Sequence, residues 1–193
     1  PTPATPAPEV AATSVWTRHR TVVIAGAVLL LFIGTYALAW LSAYNLTRGY
    51  LRDADASYAE GRYLDALVGH EEFDRATNRY INYGGYMHIE RIWADRYAVP
   101  APAEVAKAHE RIDEIVGELL TVEDAEKFVR ENAGRNNPYL GMIYLRLGEL
   151  YEEAGDTRDA EDIYASFADL FPDEAALIAR AQQNLARLQA AGS

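Results

Sequence analysis

The feature that most constrains this chain is an uncharged run of 24 residues from Thr21 to Tyr44. A helix rises about 1.5 Å per residue, so a helix of this length reaches about 36 Å, enough to cross the hydrocarbon core of a bilayer. The run therefore predicts a single transmembrane helix over residues 16–44, with residues 21–44 in contact with the lipid bilayer.

Aromatic and basic side chains flank this run. Trp16, Arg18 and Arg20 stand at its start, and Trp40 and Tyr44 stand towards its far end. Tryptophan and tyrosine are enriched where a helix leaves the hydrocarbon, because their polar edges reach the headgroups. We therefore expect these five residues to lie at the two membrane–water interfaces.

A secretory signal peptide is the alternative interpretation of the same segment. Arg18 and Arg20 precede an apolar run in which Ala37 and Ala39 have the small-residue spacing that signal peptidase accepts. The apolar stretch continues beyond this point as far as Tyr44, which favours a retained anchor.

The orientation in the membrane depends on the basic residues on either side of the run. Arg18 and Arg20 precede it, whereas Arg48 and Arg52 follow it, so the positive-inside rule gives nearly a tie. The short leading tail favours a cytoplasmic N-terminus, with the soluble domain on the periplasmic or extracellular side of a cell membrane that the chain crosses once.

Composition narrows the remaining possibilities. Residues 1–15 are rich in proline, alanine and threonine and predict a flexible tail. Residues 45–193 carry 16 basic and 28 acidic residues, a net charge of −12 that would repel phosphate backbones, so no nucleic-acid partner is expected. The chain has no cysteine, which excludes disulfides, thiolate zinc sites and iron–sulfur clusters.

The clearest helical pattern lies in residues 138–171. Asn137 and Pro138 are typical of a helix start, Gly155 separates two helices, and Pro172 follows the second one. Apolar and small residues recur at helical spacing through both helices: Tyr144, Leu147, Gly148, Tyr151, Ala160, Ile163, Tyr164, Phe167 and Phe171. Two antiparallel helices are predicted.

This segment resembles a tetratricopeptide repeat, a helix-turn-helix unit of about 34 residues. With Gly141 as the first position, seven residues fall where that family places the same residue types: Leu147, Gly148, Tyr151, Gly155, Ala160, Tyr164 and Pro172. Phe167 departs from the pattern, because the family usually has a small residue there. A second, weaker copy is predicted over residues 47–80, and residues 175–190 are expected to form a helix that closes the stack.

The resemblance implies an all-α fold, in which one transmembrane helix is followed by a tetratricopeptide-like α-solenoid domain over residues 45–193. Between the two copies, further helices are expected over residues 86–97, around residues 112–120, and after a helix start at Thr121. The soluble domain is predicted to hold six or seven helices and no sheet.

The sequence offers no motif for catalysis. None of His19, His70, His88 and His109 has a second histidine four residues away, the spacing of a helical zinc site. A glycine-rich phosphate loop and a Gly-x-Ser-x-Gly turn are both missing from the sequence. Neither an enzyme, nor a metal site, nor a bound cofactor is therefore predicted.

Aromatic residues crowd one stretch of the soluble domain. Tyr80, Tyr83, Tyr86, Trp93 and Tyr97 fall within 18 residues. Tyrosine combines an apolar ring with a hydroxyl group and is enriched in protein interfaces. We predict that these five residues bind a partner, with ordinary helix packing as the alternative.

These observations favour a non-catalytic scaffold or accessory subunit of a larger membrane complex, with the other subunits of that complex as its partners. A bacterial respiratory or photosynthetic electron-transfer assembly is one such host. A single N-terminal anchor followed by a tetratricopeptide-like domain also resembles the ancillary proteins of the bacterial secretion translocon, which implies an envelope chaperone as the alternative.

Overall fold

The computed structural model describes the backbone of residues 15–191 and the side chains from residue 20 onwards. Residues 1–14 of the predicted flexible tail, and the side chains of Trp16 and Arg18, lie outside this described part. The chain divides into two units, and the division falls between Asn45 and Leu46.

The first unit contains the apolar part of helix α1 (Val15–Ala59). Within the described residues, α1 is the one helix long and apolar enough to cross a bilayer, and its most apolar 18-residue window has a mean hydropathy of 2.4. Its apolar side chains are exposed, with Leu30, Leu31 and Leu38 at 70–71%. The helix thus has the length and composition that the predicted span requires.

The second unit begins with the last turns of α1 and is mostly helical, as predicted. Seven further helices, one π-helical turn and two strands are formed by its described residues. In chain order they are α2 (Tyr63–Val68), β1 (His70–Asp74), β2 (Arg79–Tyr83), α3 (Tyr86–Trp93), α4 (Ala103–Glu114), the π turn (Ile115–Leu119), α5 (Val122–Asn132), α6 (Leu140–Ala154), α7 (Thr157–Leu170) and α8 (Ala175–Ala191).

The prediction that the domain has no sheet is wrong. Strands β1 and β2 form an antiparallel hairpin inside the range 47–80 that was interpreted as a weak second repeat. Helix α2 has only six residues before Gly69, whose φ of 79° lies in the left-handed region that favours glycine. The chain therefore leaves the helix early, and a full-length second helix does not form there.

The predicted pair of antiparallel helices is confirmed as α6 and α7. A Cβ atom added to Gly148 would lie 2.7 Å from Cε1 of Tyr164, so the small residue permits the close approach of the two helices. Gly155 ends α6 with a φ of 83°, and the N–H of Asp156 donates to the carbonyl of Tyr151 at 2.8 Å. Asp156 then caps α7 by accepting from the N–H of Asp159.

The helix predicted over residues 175–190 is also confirmed, as α8, which packs against both α7 and α6. Arg180 pairs with Glu149 at 2.8 Å, and Arg187 pairs with Glu152 at 2.8 Å. Because these contacts advance along both helices together, α6 and α8 run in the same direction. Helices α5 to α8 thus form a layered stack in which each helix lies beside the one before it.

The start of the second unit is tied to helix α3. Tyr86 is fully buried and its hydroxyl donates to Asp55 at 2.7 Å. Buried Trp93 donates its indole N–H to the hydroxyl of Thr47 at 2.8 Å. These bonds place the last turns of α1, residues 46–59, within the core of the second unit.

Candidate interaction surface

The hairpin of β1 and β2 is fixed at its base by close contacts. Gly84 lies against the ring of Tyr50, where a Cβ atom would not fit, and its N–H donates to Asp53 at 3.3 Å. Gly69 and Gly85, which bracket the hairpin, approach each other so closely that neither has room for a side chain. The hairpin therefore leaves the helical core from a defined position.

The turn at its other end is organised by Asp74. This carboxylate accepts from the N–H of Ala76 at 2.8 Å and from the hydroxyl of Thr77 at 2.7 Å. The Thr77 bond, followed by the Ala76 bond, lowers the pKa of Asp74 below its usual value. Asn78 completes the turn with a φ of 52°, a conformation that asparagine tolerates better than most residues.

One face of the hairpin carries an exposed aromatic pair. Phe73 and Tyr80 stand opposite each other in the strand register, with ring centroids 5.1 Å apart. Phe73 is 44% exposed and Tyr80 is 69% exposed. Exposed aromatic surface of this kind is typical of contact sites, because it removes a large area from water when a partner covers it.

The opposite face is mixed. His70 and Tyr83 stack with ring centroids 4.6 Å apart, and Ile81, which faces Glu72 across the ladder, is 40% exposed. Among the described residues the sheet has only these two strands, so the outer edge of each offers unpaired backbone groups. The Phe73–Tyr80 face and the two edges are thus open to a binding partner, whereas His70 and Tyr83 on the opposite face are half-buried.

The five aromatic residues predicted to bind a partner do not form one surface. Tyr80 and Tyr97 are exposed at 69% and 65%, and Tyr83 is half-buried against His70. Tyr86 and Trp93 are buried in the helical core, where their polar atoms bond to α1. The prediction is therefore corrected for Tyr86 and Trp93, whose rings are packing residues, and stays a prediction for the others.

Tyr97 lies apart from the hairpin in the loop between α3 and α4. The guanidinium of Arg96 lies 4.7 Å from the centre of its ring and donates to its hydroxyl at 2.6 Å. A cation over an aromatic face is attracted by the ring quadrupole. This pair forms a second, smaller exposed feature.

Five tyrosines, Tyr86 among them, join parts of the helical core through hydrogen bonds to carboxylates, an arrangement that sequence reasoning missed. Their hydroxyl groups donate to an Asp or Glu on a neighbouring helix, and the donor–acceptor pairs are Tyr58–Glu114, Tyr86–Asp55, Tyr139–Glu90, Tyr151–Glu126 and Tyr164–Glu152. Burial, followed by the bond to Glu126, raises the pKa of Tyr151 to about 12. Some of the many tyrosines and acidic residues of the chain thus serve the same purpose, because they pair to hold neighbouring helices together.

The predicted membrane-interface residues are only partly described. Trp16 and Arg18 lie outside the described side chains, and Arg20 is exposed. Trp40 stacks on Tyr44 with ring centroids 5.2 Å apart. This stacking joins the two aromatic rings at the far end of the apolar run, while their position in a membrane stays a prediction.

Among the described residues, no group of three or more His, Cys, Asp or Glu side chains is arranged to hold a metal ion. His109 lies between Glu90, 2.6 Å from its Nδ1, and Asp113, 3.5 Å from its Nε2. The bond to Glu90, followed by the charge of Asp113, raises the pKa of this exposed histidine. This geometry links α3 to α4 through a hydrogen bond between His109 and Glu90, which becomes an ion pair when the imidazole is protonated.

A sequence signal for the hairpin does exist. Glycines at 69 and at 84–85 bracket a 14-residue segment with turn residues at Thr77 and Asn78. The following run Tyr80-Ile81-Asn82-Tyr83 is rich in residues that favour strands.

Comparison of the chain with protein-family models, with curated proteins and with solved structures gives no match. The resemblance to a tetratricopeptide repeat thus rests on the residues of α6 and α7 alone.

Proposed function

We propose that the protein is a non-catalytic scaffold or accessory subunit that binds another chain of a membrane complex through its β-hairpin. The exposed Phe73–Tyr80 pair is the observation that carries this proposal. A two-stranded hairpin is marginally stable in water unless something covers it. A partner that buries both rings would stabilise the hairpin and gain apolar contact area at the same time.

The helical stack supports the proposal by supplying a rigid support. Helices α5 to α8 form a layered array that resembles the start of a tetratricopeptide solenoid, an architecture whose usual role is binding. The hydroxyl of Tyr151 donates to Glu126 and so joins α6 to α5. The hydroxyl of Tyr164 donates to Glu152 and joins α7 to α6. Such a support lets a short hairpin present its side chains in a fixed position.

The anchor completes the proposal. The apolar part of α1 crosses the membrane once, with the N-terminus in the cytoplasm and the second unit on the periplasmic or extracellular side. The net charge of −12 on residues 45–193 keeps this unit away from anionic lipid headgroups. It is therefore free to meet the soluble portions of neighbouring membrane subunits.

Site-specific photocrosslinking in the native membrane tests this function. A photoreactive phenylalanine analogue replaces Tyr80 in one strain and exposed Leu170, at the end of α7, in a matched control strain. We expect a crosslinked adduct with one membrane-complex subunit when the analogue is at position 80. The same adduct should be absent or much weaker when the analogue is at position 170. A ladder of many unrelated chains at position 80 would instead support an envelope chaperone, and the absence of any protein adduct there would contradict both roles.

A further inference from the structure

A small cleft on the second unit is lined by positively charged residues, although the domain as a whole is negatively charged. It lies between helix α3 and the loop that joins α5 to α6, and its volume is about 230 Å³. His88 and Arg91 line it from α3, and Asn132, Arg135 and Tyr139 line it from the other side. Its lining includes no aspartate and no glutamate, although residues 45–193 carry 28 acidic residues.

The two arginines leave the cleft with uncompensated positive charge. Neither Arg91 nor Arg135 forms a salt bridge within the described residues 20–191, and both are exposed. The nearest acidic neighbour along α3, Glu90, is already engaged by the Tyr139 hydroxyl at 2.9 Å and by His109 at 2.6 Å. The guanidinium donors of the cleft are thus left for a ligand from outside.

His88 adds a third donor of fixed tautomer. Its Nδ1 accepts the N–H of Gly85 at 3.0 Å, so a neutral ring carries its proton on Nε2. Burial, followed by the charge of Arg91, lowers the pKa of His88 and keeps the ring neutral at pH 7. The imidazole therefore contributes an N–H donor without adding to the repulsion between the two guanidinium groups.

The loop on the far side of the cleft is held in place by its own hydrogen bonds. The side-chain amide of Asn137 donates to Asn132 at 2.8 Å, and Asn132 donates to the carbonyl of Phe128 at 2.8 Å. The N–H of Arg135 donates to the carbonyl of Asn132 at 3.0 Å. This network fixes the backbone of Arg135 opposite α3 before any ligand binds, which lowers the entropic cost of binding.

We propose that this cleft binds an oxyanion, a carboxylate or a phosphate group, between Arg91 and Arg135. Guanidinium groups recognise both through paired, charge-assisted hydrogen bonds. The cleft volume of about 230 Å³ has room for one carboxylate or phosphate group and a small attached moiety. The cleft adjoins the base of the hairpin through His88, but its lining includes no residue of β1 or β2 and the proposal does not depend on the scaffold role proposed above.

Thermal unfolding of the full chain in neutral detergent micelles tests the site. The unfolding midpoint is followed at pH 7 while chloride is replaced by inorganic phosphate, or by acetate, at constant ionic strength. A ligand that binds only the folded protein raises the midpoint in a concentration-dependent way, from which an apparent dissociation constant follows. Three proteins are compared: the unaltered chain, the double variant Arg91→Gln with Arg135→Gln, and Arg130→Gln as a control on an exposed arginine outside the cleft.

We expect phosphate to raise the midpoint of the unaltered chain and of Arg130→Gln, and to bind the double variant about tenfold or more weakly. An equal response to acetate shows that the site accepts oxyanions of both kinds, and a response to phosphate alone assigns it to phosphate groups. The same midpoint shift in all three proteins, or no shift in the unaltered chain, would overturn the proposal. Circular dichroism before heating shows that the double variant is folded.

Discussion

Two regions of the second unit are rich in aromatic residues, but their rings are buried in one region and exposed in the other. In the pair α6 and α7, Tyr144, Phe167 and Phe171 contact one another with ring centroids 4.9 to 6.2 Å apart, and Phe167 is fully buried. In the hairpin of β1 and β2, Phe73 and Tyr80 contact each other with ring centroids 5.1 Å apart and remain 44% and 69% exposed. The aromatic contacts are similar, but the burial is not.

The difference comes from what lies over each pair. The rings of α6 and α7 lie on helical stripes, and each stripe faces a neighbouring helix in the stack. The Phe73–Tyr80 face of the hairpin has no helix or strand packed over it within residues 20–191. The number of aromatic residues in a segment therefore does not distinguish a core from a contact surface. The distinction depends on whether another helix or strand packs over the rings.

The largest expected difference between the two regions is the contribution of Phe167 and of Phe73 to the stability of the protein. We expect Phe167→Ala to lower the free energy of unfolding by about 3–5 kcal/mol, because the ring is fully buried. Phe73→Ala should change it by about 0.5 kcal/mol or less, since exposed positions contribute little. Urea unfolding of the full chain in micelles measures both, and equal losses would show that the hairpin belongs to the core.

The close approach of α6 and α7 can be tested at Gly148. Gly148→Val should lower the free energy of unfolding by about 1–3 kcal/mol, because the new side chain meets Tyr164 and Ile163 within 3 Å. Gly117→Ala is the matched control, since nothing lies within 4 Å of the added Cβ atom there. If Gly148→Val is tolerated as well as the control, the two helices do not pack as described.

The tyrosine–carboxylate bonds give the helical stack an alkaline sensitivity. Folding raises the pKa of Tyr151 from 10.0 to about 12, so its contribution is complete below pH 10 and is lost as the pH rises through about 12. Tyr151→Phe should cost about 1–2 kcal/mol at neutral pH, because the Glu126 carboxylate loses a donor.

The same variant should lose less stability between pH 10 and 12 than the unaltered chain does. Unfolding midpoints recorded across this range measure the difference. Parallel curves for the two proteins would show that the Tyr151 hydroxyl does not form the bond.

The smallest effect concerns the turn of the hairpin. Asp74→Ala removes the acceptor for Ala76 and Thr77, so amide hydrogen exchange in β1 and β2 should accelerate while the unfolding midpoint of the stack is unchanged. Because those bonds lower the pKa of Asp74 below 3.8, the unaltered turn should weaken only as the pH falls below that value. Arg75→Ala in the same turn is the control, and equal acceleration in both variants would argue against the role of Asp74.

Sequence reasoning predicted the parts of the fold where one regular pattern extends over several turns. The stripes of α6 and α7, the helix end at Gly155 and the helix start at Thr121, whose hydroxyl accepts from the N–H of Asp124, each follow from local rules. The hairpin was missed because the weaker repeat pattern over residues 47–80 predicted a pair of helices, the second of which would have continued through Gly69. The tyrosine–carboxylate bonds could not be predicted, because they join residues as far apart as Tyr58 and Glu114.

Of the five aromatic residues predicted to form the contact surface, the structure leaves Tyr80 and Tyr97 exposed and adds Phe73 and Ile81. Strand pairing explains this change. The ladder places Phe73 opposite Tyr80 although they are seven positions apart in the chain, and it places Ile81 on the other face. The sequence alone showed neither the register nor the helical burial of Tyr86.

Native mass spectrometry of the gently solubilised membrane complex tests the central claim most directly. It compares the unaltered chain with the double variant Phe73→Ala, Tyr80→Ala and with Leu170→Ala as a control at another exposed position. We expect a fixed stoichiometric ratio with one or more membrane subunits for the unaltered chain and the control, and loss of those subunits from the double variant. A lone chain under all solubilisation conditions, or partners that stay bound to the double variant, would contradict binding through the hairpin.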